Sequence, residues 1–222
     1  MDYTNAFAQT PLKDDVYIAL PKDFDSNDNN SVLKLNASLY GMRQSPLMWY
    51  EHLQAGLEKS GFKSSTTDQC LFLGDNIICV VYVDDYLFFA CDSLNIAAMI
   101  KDLQKDFSLE PKEDVEAFLG IQICRTGNHI EFTQPGLIDR ILLLCGMENY
   151  NTKATPADET PLGTNKNGAE QVETWNYSSA IGMLLYLASN ARPDIMFAVH
   201  QCARFTHCAK HSHEEGIKRI CR

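Results

Sequence analysis

The chain is poor in positive charge, paired cysteines and long apolar runs. Its 19 Lys and Arg are outnumbered by 29 Asp and Glu, a formal net charge of −10 with pI near 5.0. A stand-alone nucleic-acid-binding protein is usually basic, so that description does not suit the whole chain. The eight cysteines (70, 79, 91, 124, 145, 202, 208 and 221) are scattered, with no CxxC pair. Met1-Asp2-Tyr3-Thr4-Asn5 has neither the basic nor the apolar region of a secretory signal. The cysteines therefore read as reduced, mostly buried thiols of an intracellular protein. No apolar stretch approaches the ~20 residues that span a bilayer, so no membrane partner is expected. Internal repeats and low-complexity tracts are missing too, which excludes a repeat array.

What remains is an ordinary apolar content in 222 residues, enough for one large domain or two small ones. Charge is uneven. From Arg192 onward Arg192, Arg204, Lys210, Lys218, Arg219 and Arg222 outnumber Asp194, Glu214 and Glu215, so a phosphate-contacting surface is expected there rather than in the acidic first third.

Val16–Leu20 and Val32–Leu35 read as short strands separated by an Asp/Asn/Ser-rich loop, 22–31. Ser45-Pro46 looks like a capped helix start, followed by Leu47, Tyr50, Leu53 and Leu57 at helical spacing and by Gly61 as a stop. Cys70–Phe89 reads as successive strands. Ser93 is the expected cap of a second helix. Phe118–Cys124 and His129–Thr133 flank Thr126-Gly127-Asn128, a hairpin signal, and a helix is expected from Pro135 to Leu144 with Gly146 after it. Asn151–Gly168 is rich in Thr, Pro, Asn and Gly and reads as a linker. Helices are expected over about Tyr177–Ser189, Pro193–Cys208 and Ser212–Arg222. The fold class is α+β followed by a helical segment.

Tyr82-Val83-Asp84-Asp85 interrupts this pattern. Apolar runs flank it, Ile77–Val81 before and Tyr86–Ala90 after, and both read as buried strands. Two like charges about 4 Å apart repel by roughly 4 kcal/mol at an effective dielectric near 20. Either the pair is the solvated tip of a hairpin, or a divalent cation converts repulsion into coordination. Neither Asp is the Gly or Asn that two-residue hairpin turns favour.

Taken in order, the motifs resemble one family. They are Asp2-x-x-x-Ala6-Phe7, Leu39-Tyr40-Gly41-x-x-Gln44-Ser45-Pro46-x-x-Trp49, Tyr82-Val83-Asp84-Asp85, Phe118-Leu119-Gly120-Ile121, Thr155-Pro156, Ile181–Leu187, Ala191-Arg192-Pro193-Asp194-Ile195 and Ala203-Arg204-Phe205. Their succession is similar to the reverse transcriptases (RNA-dependent DNA polymerases) of copia-type LTR retrotransposons. The resemblance implies a polymerase palm, an antiparallel sheet with helices on one face, over 1–150 with the start of a thumb. A linker would follow over 151–173 and a helical connection-like segment over 174–222.

By the same resemblance Asp2, Asp84 and Asp85 are the catalytic carboxylates, facing two Mg²⁺ ions (or Mn²⁺). Asp2 and Asp84 would be the main ligands, and Asp85 peripheral because successive strand residues point to opposite faces. Phe7 would lie beneath the incoming sugar and exclude a 2′-hydroxyl. Gly41, Gln44, Ser45 and Pro46 would line the nucleotide and template pocket. Tyr82 would approach the primer end, Leu119-Gly120 would grip the primer, and Lys112 would lie near the pyrophosphate.

The implied partners are an RNA or DNA template with its primer, deoxynucleoside triphosphates, and the fingers, RNase H and integrase of a polyprotein. Cytoplasmic particles and the nucleus are both compatible locations. The family's fingers and RNase H are expected to be missing from this chain. That implies a fragment with little activity alone, a fraying Asp2 strand and self-association through an exposed sheet edge. Two other classes stay open: a catalytically silent scaffold, and a zinc module built from His200, Cys202, His207, Cys208, His211 and His213.

Overall fold

The computed structural model describes residues 2–3 (backbone), 5–21, 31–110 and 115–222. Lys112 and all but the last residue of the loop expected over 22–31 lie outside the described residues. The chain forms two compact units, Met1–Val115 and Glu116–Arg222. All its strand pairings are antiparallel among the described residues, so the α+β expectation holds.

The first unit contains β1 (Asp2–Tyr3), a 3₁₀ turn (Ala6–Gln9), β2 (Tyr17–Ala19), β3 (Val32–Lys34), α1 (Ser45–Lys59), β4 (Lys63–Ser64), β5 (Leu71–Gly74), β6 (Ile77–Tyr82), β7 (Asp85–Ala90), α2 (Ser93–Leu103) and β8 (Leu109–Glu110). Its main sheet runs β4-β5-β6-β7-β1-β8, and β2 pairs with β3 separately. The expected fraying of the Asp2 strand is not what the sheet shows. β1 is held on both sides, with Asp2 opposite Asp85 on one flank and Glu110 on the other.

Helix α1 buries Trp49, Leu53 and Leu57 at intervals of one helical turn. They join Phe62, Phe72, Ile77, Cys79, Val81, Tyr86, Leu103 and Phe107 in one core. A Cβ on Gly56 would lie 2.3 Å from the Phe107 ring, so this face of α1 takes glycine because the ring rests on it. The strands are buried on one face only, a departure from the expected fully buried runs. Ile77, Cys79 and Val81 point inward. Leu73, Ile78 and Phe89, neighbours across three strands, are 47%, 43% and 49% exposed.

Two expected caps also differ. Gln44 occupies the cap position of α1 and Ser45 is already helical, its hydroxyl donating to the Leu39 carbonyl at 2.7 Å. Asp92, not Ser93, caps α2, accepting from the Leu94 N–H at 2.9 Å. Asp92 has the extended backbone usual for a cap, whereas Gln44 is already in the right-handed helical region and its side chain makes no cap bond.

The second unit contains β9 (Ala117–Phe118), β10 (Ile121–Thr126), β11 (His129–Thr133), α3 (Pro135–Cys145), α4 (Tyr177–Asn190), a 3₁₀ turn (Pro193–Ile195), α5 (Met196–Ala203) and α6 (His211–Ile220). Gly146 ends α3 at φ +64°, the left-handed stop expected of it. The expected helix over Pro193–Cys208 is instead a 3₁₀ turn followed by the eight-residue α5.

Asn151–Gly168 lies inside this unit, and the stretch 151–173 is fastened to α6. The Arg219 guanidinium reaches Asp158 at 2.8 Å and Lys218 reaches Glu173 at 2.5 Å. Lys210 pairs with Glu170, and Arg222 donates to the Asn151 carbonyl at 3.1 Å. The fully buried Glu214 carboxylate accepts from the Val172 and Glu173 N–H groups at 3.1 and 3.2 Å. Much of the positive charge expected to meet phosphate is therefore neutralised within the unit.

Burial has a consequence for alkaline stability. The Cys79 thiol is pushed up to about 12 by burial from its ordinary 9.0. Cys202 is raised by burial to about 11, opposed by a hydrogen bond from Tyr177. Both stay protonated in the fold while the unfolded chain ionises above pH 9. The stabilisation they give is thus complete below that pH and lost as pH rises through the folded values. Each is expected to cost about 1.4 kcal/mol of stability per pH unit between about pH 9 and 11. Urea melts of the wild type and Cys79→Val across this range should show a shallower decline in the variant; identical slopes would refute the argument.

Candidate functional site

The acidic motif does form a hairpin tip, displaced by one residue. Tyr82 and Asp85 are paired strand residues, and Val83 and Asp84 make the two-residue turn. Val83 has φ +53° while Asp84 does not have positive φ, the pattern of a II′ turn. A β-branched residue in this region costs roughly 1–3 kcal/mol and persists only where the surroundings impose it. Here the Val83 carbonyl accepts from Trp49 Nε1 at 2.9 Å and from the Tyr86 hydroxyl at 3.3 Å. Donors on α1 and β7 thereby hold the central peptide of the turn in one orientation.

Asp84 is half-buried. Its Oδ2 accepts from the Tyr40 hydroxyl at 2.6 Å, while Oδ1 is buried without a hydrogen-bond partner. Leaving a buried carboxylate oxygen unsatisfied is costly unless a ligand supplies the partner. Asp85 opens β7, and the β1–β7 register sets the Asp2 backbone directly opposite it. Asp2 therefore stands at the rung beside the turn; only its backbone is described. Hard carboxylate oxygens suit Mg²⁺ or Mn²⁺ better than softer metals. The unpartnered Oδ1 fits the same group.

Phe7 is buried in the 3₁₀ turn after β1, its ring 4.4 Å from that of Tyr40. Tyr40 therefore links Phe7 to Asp84. Phe7, Pro46, Trp49, Val81 and Val83 line a largely apolar cavity of about 160 Å³ behind the turn. Gly41 has φ +96°, with open space where a Cβ would be. Gln44 and Pro46 are exposed at the start of α1, Ser45 is buried, and Tyr82 is exposed. Leu119 and Gly120 form the β9–β10 turn of the second unit, with φ +51° and +73°.

Sequence reasoning missed Tyr40 and Trp49 as site residues. Their side chains act on residues 44 and 34 positions away, which no local pattern announces. The six His and Cys side chains considered for zinc do not assemble: no group of three or more metal-ligating residues occurs among the described side chains. His213 uses both ring nitrogens, on the Lys210 N–H and the Gly163 carbonyl, each at 2.8 Å. No described helix is long and apolar enough to cross a membrane.

Residues 1–159 match the family model described as reverse transcriptase (RNA-dependent DNA polymerase). The chain is 34% identical over its whole length to the retrovirus-related Pol polyprotein from transposon RE1 of Arabidopsis thaliana, covering 15% of that protein. It is 30% identical to that from transposon TNT 1-94 of Nicotiana tabacum, covering 18%. It is also 31% identical to a putative transposon Ty5-1 protein of Saccharomyces cerevisiae, again along its whole length, and covers 74% of that relative. The chain thus spans under a fifth of the polyproteins that it matches. No solved structure matches it.

Proposed function

The chain belongs to the reverse transcriptase (RNA-dependent DNA polymerase) family, and from that premise we propose that it is a polymerase palm with the following helical segment. Its reaction would be nucleotidyl transfer to a primer 3′-hydroxyl. The observation that carries this reading is the Asp84 carboxylate, with one oxygen buried and unpartnered beside the rung that joins Asp85 to Asp2. Asp84, Asp2 and Asp85 would hold two divalent ions. Such ions, when bound, lower the pKa of an attacking hydroxyl and stabilise charge on the leaving oxygens.

The chain's own residues supply position and exclusion. Val83, fixed through its carbonyl, would present Asp84 in one geometry. Phe7, packed against the Tyr40 ring, would form the floor beneath the sugar and leave no space for a 2′-hydroxyl. Gly41 would let the nucleotide approach the backbone closely. Gln44, Ser45 and Pro46 border the start of α1, where free N–H groups and the helix dipole favour phosphate. Tyr82 would meet the primer end, and Leu119 and Gly120 would hold the primer strand. Template, primer, deoxynucleoside triphosphates and the other segments of a polyprotein are the partners in this reading.

The test is primer extension on an RNA template by the purified chain, with Mg²⁺ or Mn²⁺ and with a chelator. Slow, metal-dependent incorporation of deoxynucleotides over ribonucleotides is the expected result. A chain that neither extends a primer nor gains thermal stability from either metal would instead be a catalytically silent scaffold.

A further inference from the structure

The turn at Leu119–Gly120 is as unusual as the one at Val83–Asp84. Positive φ at both central residues is the pattern of a I′ turn. Glycine adopts it freely, whereas the leucine Cβ crowds the following carbonyl in the left-handed region. I′ and II′ turns share a positive φ at the first residue and differ in the peptide that follows it. The carbonyl of that peptide belongs to Leu119. It accepts a hydrogen bond of 2.6 Å from the hydroxyl of Tyr186, on α4. At the acidic hairpin the Val83 carbonyl occupies the same position and accepts from Trp49 and Tyr86. Both turns have a non-glycine first residue at positive φ, and both have that residue's carbonyl held by an aromatic donor.

Tyr186 belongs to the Ile181–Leu187 motif, to which the reaction assigns no role. Ile181, Leu184 and Leu187 face the core of the second unit. Tyr186 is 43% exposed and does not. Around Gly120 there is open space where a Cβ would lie, so its backbone is accessible to a ligand. The geometry points to Tyr186 as a positioning residue. It locks the central peptide of the Leu119–Gly120 turn and so presents the Gly120 backbone to the sugar-phosphate strand of a primer. This assignment rests on the reading of that turn as the primer contact.

The test compares Tyr186→Phe, which removes only the hydroxyl, with Tyr186→Ala and Gly120→Val. The order parameter of the Gly120 N–H, measured by NMR relaxation without nucleic acid, should fall in Tyr186→Phe, because the turn peptide loses its anchoring hydrogen bond. The dissociation constant and KM for a primer–template duplex should rise roughly 3- to 10-fold in Tyr186→Phe, the cost of one hydrogen bond. kcat and the deoxynucleotide KM should stay unchanged, and the melting temperature should fall by no more than about 2–4 °C. Tyr186→Ala should do no less, and Gly120→Val more, because a β-branched residue resists φ +73°. An unchanged Gly120 order parameter in Tyr186→Phe overturns the proposal. So does unchanged duplex affinity in Tyr186→Phe when Gly120→Val weakens binding, because the turn then works without the lock. If the wild type binds no duplex, or Gly120→Val binds as tightly as the wild type, the primer-contact reading falls and the proposal with it.

Discussion

Exchanging Asp84 for Asn is expected to cut primer extension by at least about 10³-fold, equivalent to roughly 4 kcal/mol of transition-state stabilisation. The same exchange should make the metal-free protein more stable. The wild-type carboxylate has one buried oxygen without a partner. Removing its charge relieves about 1 kcal/mol of that burial cost, so melting should shift upward by roughly 2–4 °C. A divalent ion reverses the comparison, because binding to the folded state alone stabilises by mass action. Wild-type melting should climb with Mg²⁺ or Mn²⁺ and the variant's should not. Opposite signs in activity and metal-free stability distinguish a ligand carboxylate from a structural one. Loss of stability in Asp84→Asn, with an unchanged response to metal, would refute the metal site.

Trp49→Ala carries the largest expected cost to the fold. The side chain is almost fully buried, meets Phe107 edge-on at a centroid distance of 6.0 Å and donates to the Val83 carbonyl. Truncating so large a core residue costs about 3–5 kcal/mol, enough to leave the first unit unfolded or nearly so. Trp49→Phe separates packing from positioning. It keeps most of the ring volume and loses the Nε1 donor, for about 1–2 kcal/mol by urea denaturation. Its effect on metal affinity and extension should exceed what that modest loss suggests, since the strained turn loses one of its two donors. A phenylalanine variant with wild-type stability and metal affinity would show that Trp49 is only core filler.

Much of the fold was legible in local pattern, and the limits of legibility are physical. The period of Leu53 and Leu57, the Thr126-Gly127-Asn128 hairpin and the stop at Gly146 depend on neighbours in sequence, and the structure has all three. The acidic turn was recognisable as a turn but not in its register. Turn preferences favour small or flexible residues, whereas Val83 is held at positive φ by donors on Trp49 and Tyr86. The missed tie from Tyr40 to Asp84 and the internal pairing of Lys218 with Glu173 join residues tens of positions apart. The resemblance supplied roles for residues such as Phe7 and Gly41, which in local sequence look like a core aromatic and an ordinary loop glycine.

The grip of Glu214 on the segment before α4 bears on how this region can drift in sequence. Its donors are main-chain N–H groups of residues 172 and 173, which every amino acid except proline supplies. The side chain of Val172 can change without loosening the attachment, while the acceptor on α6 cannot. Variation should therefore be tolerated at Val172 and not at Glu214, with proline the one replacement shut out at residues 172 and 173 alike.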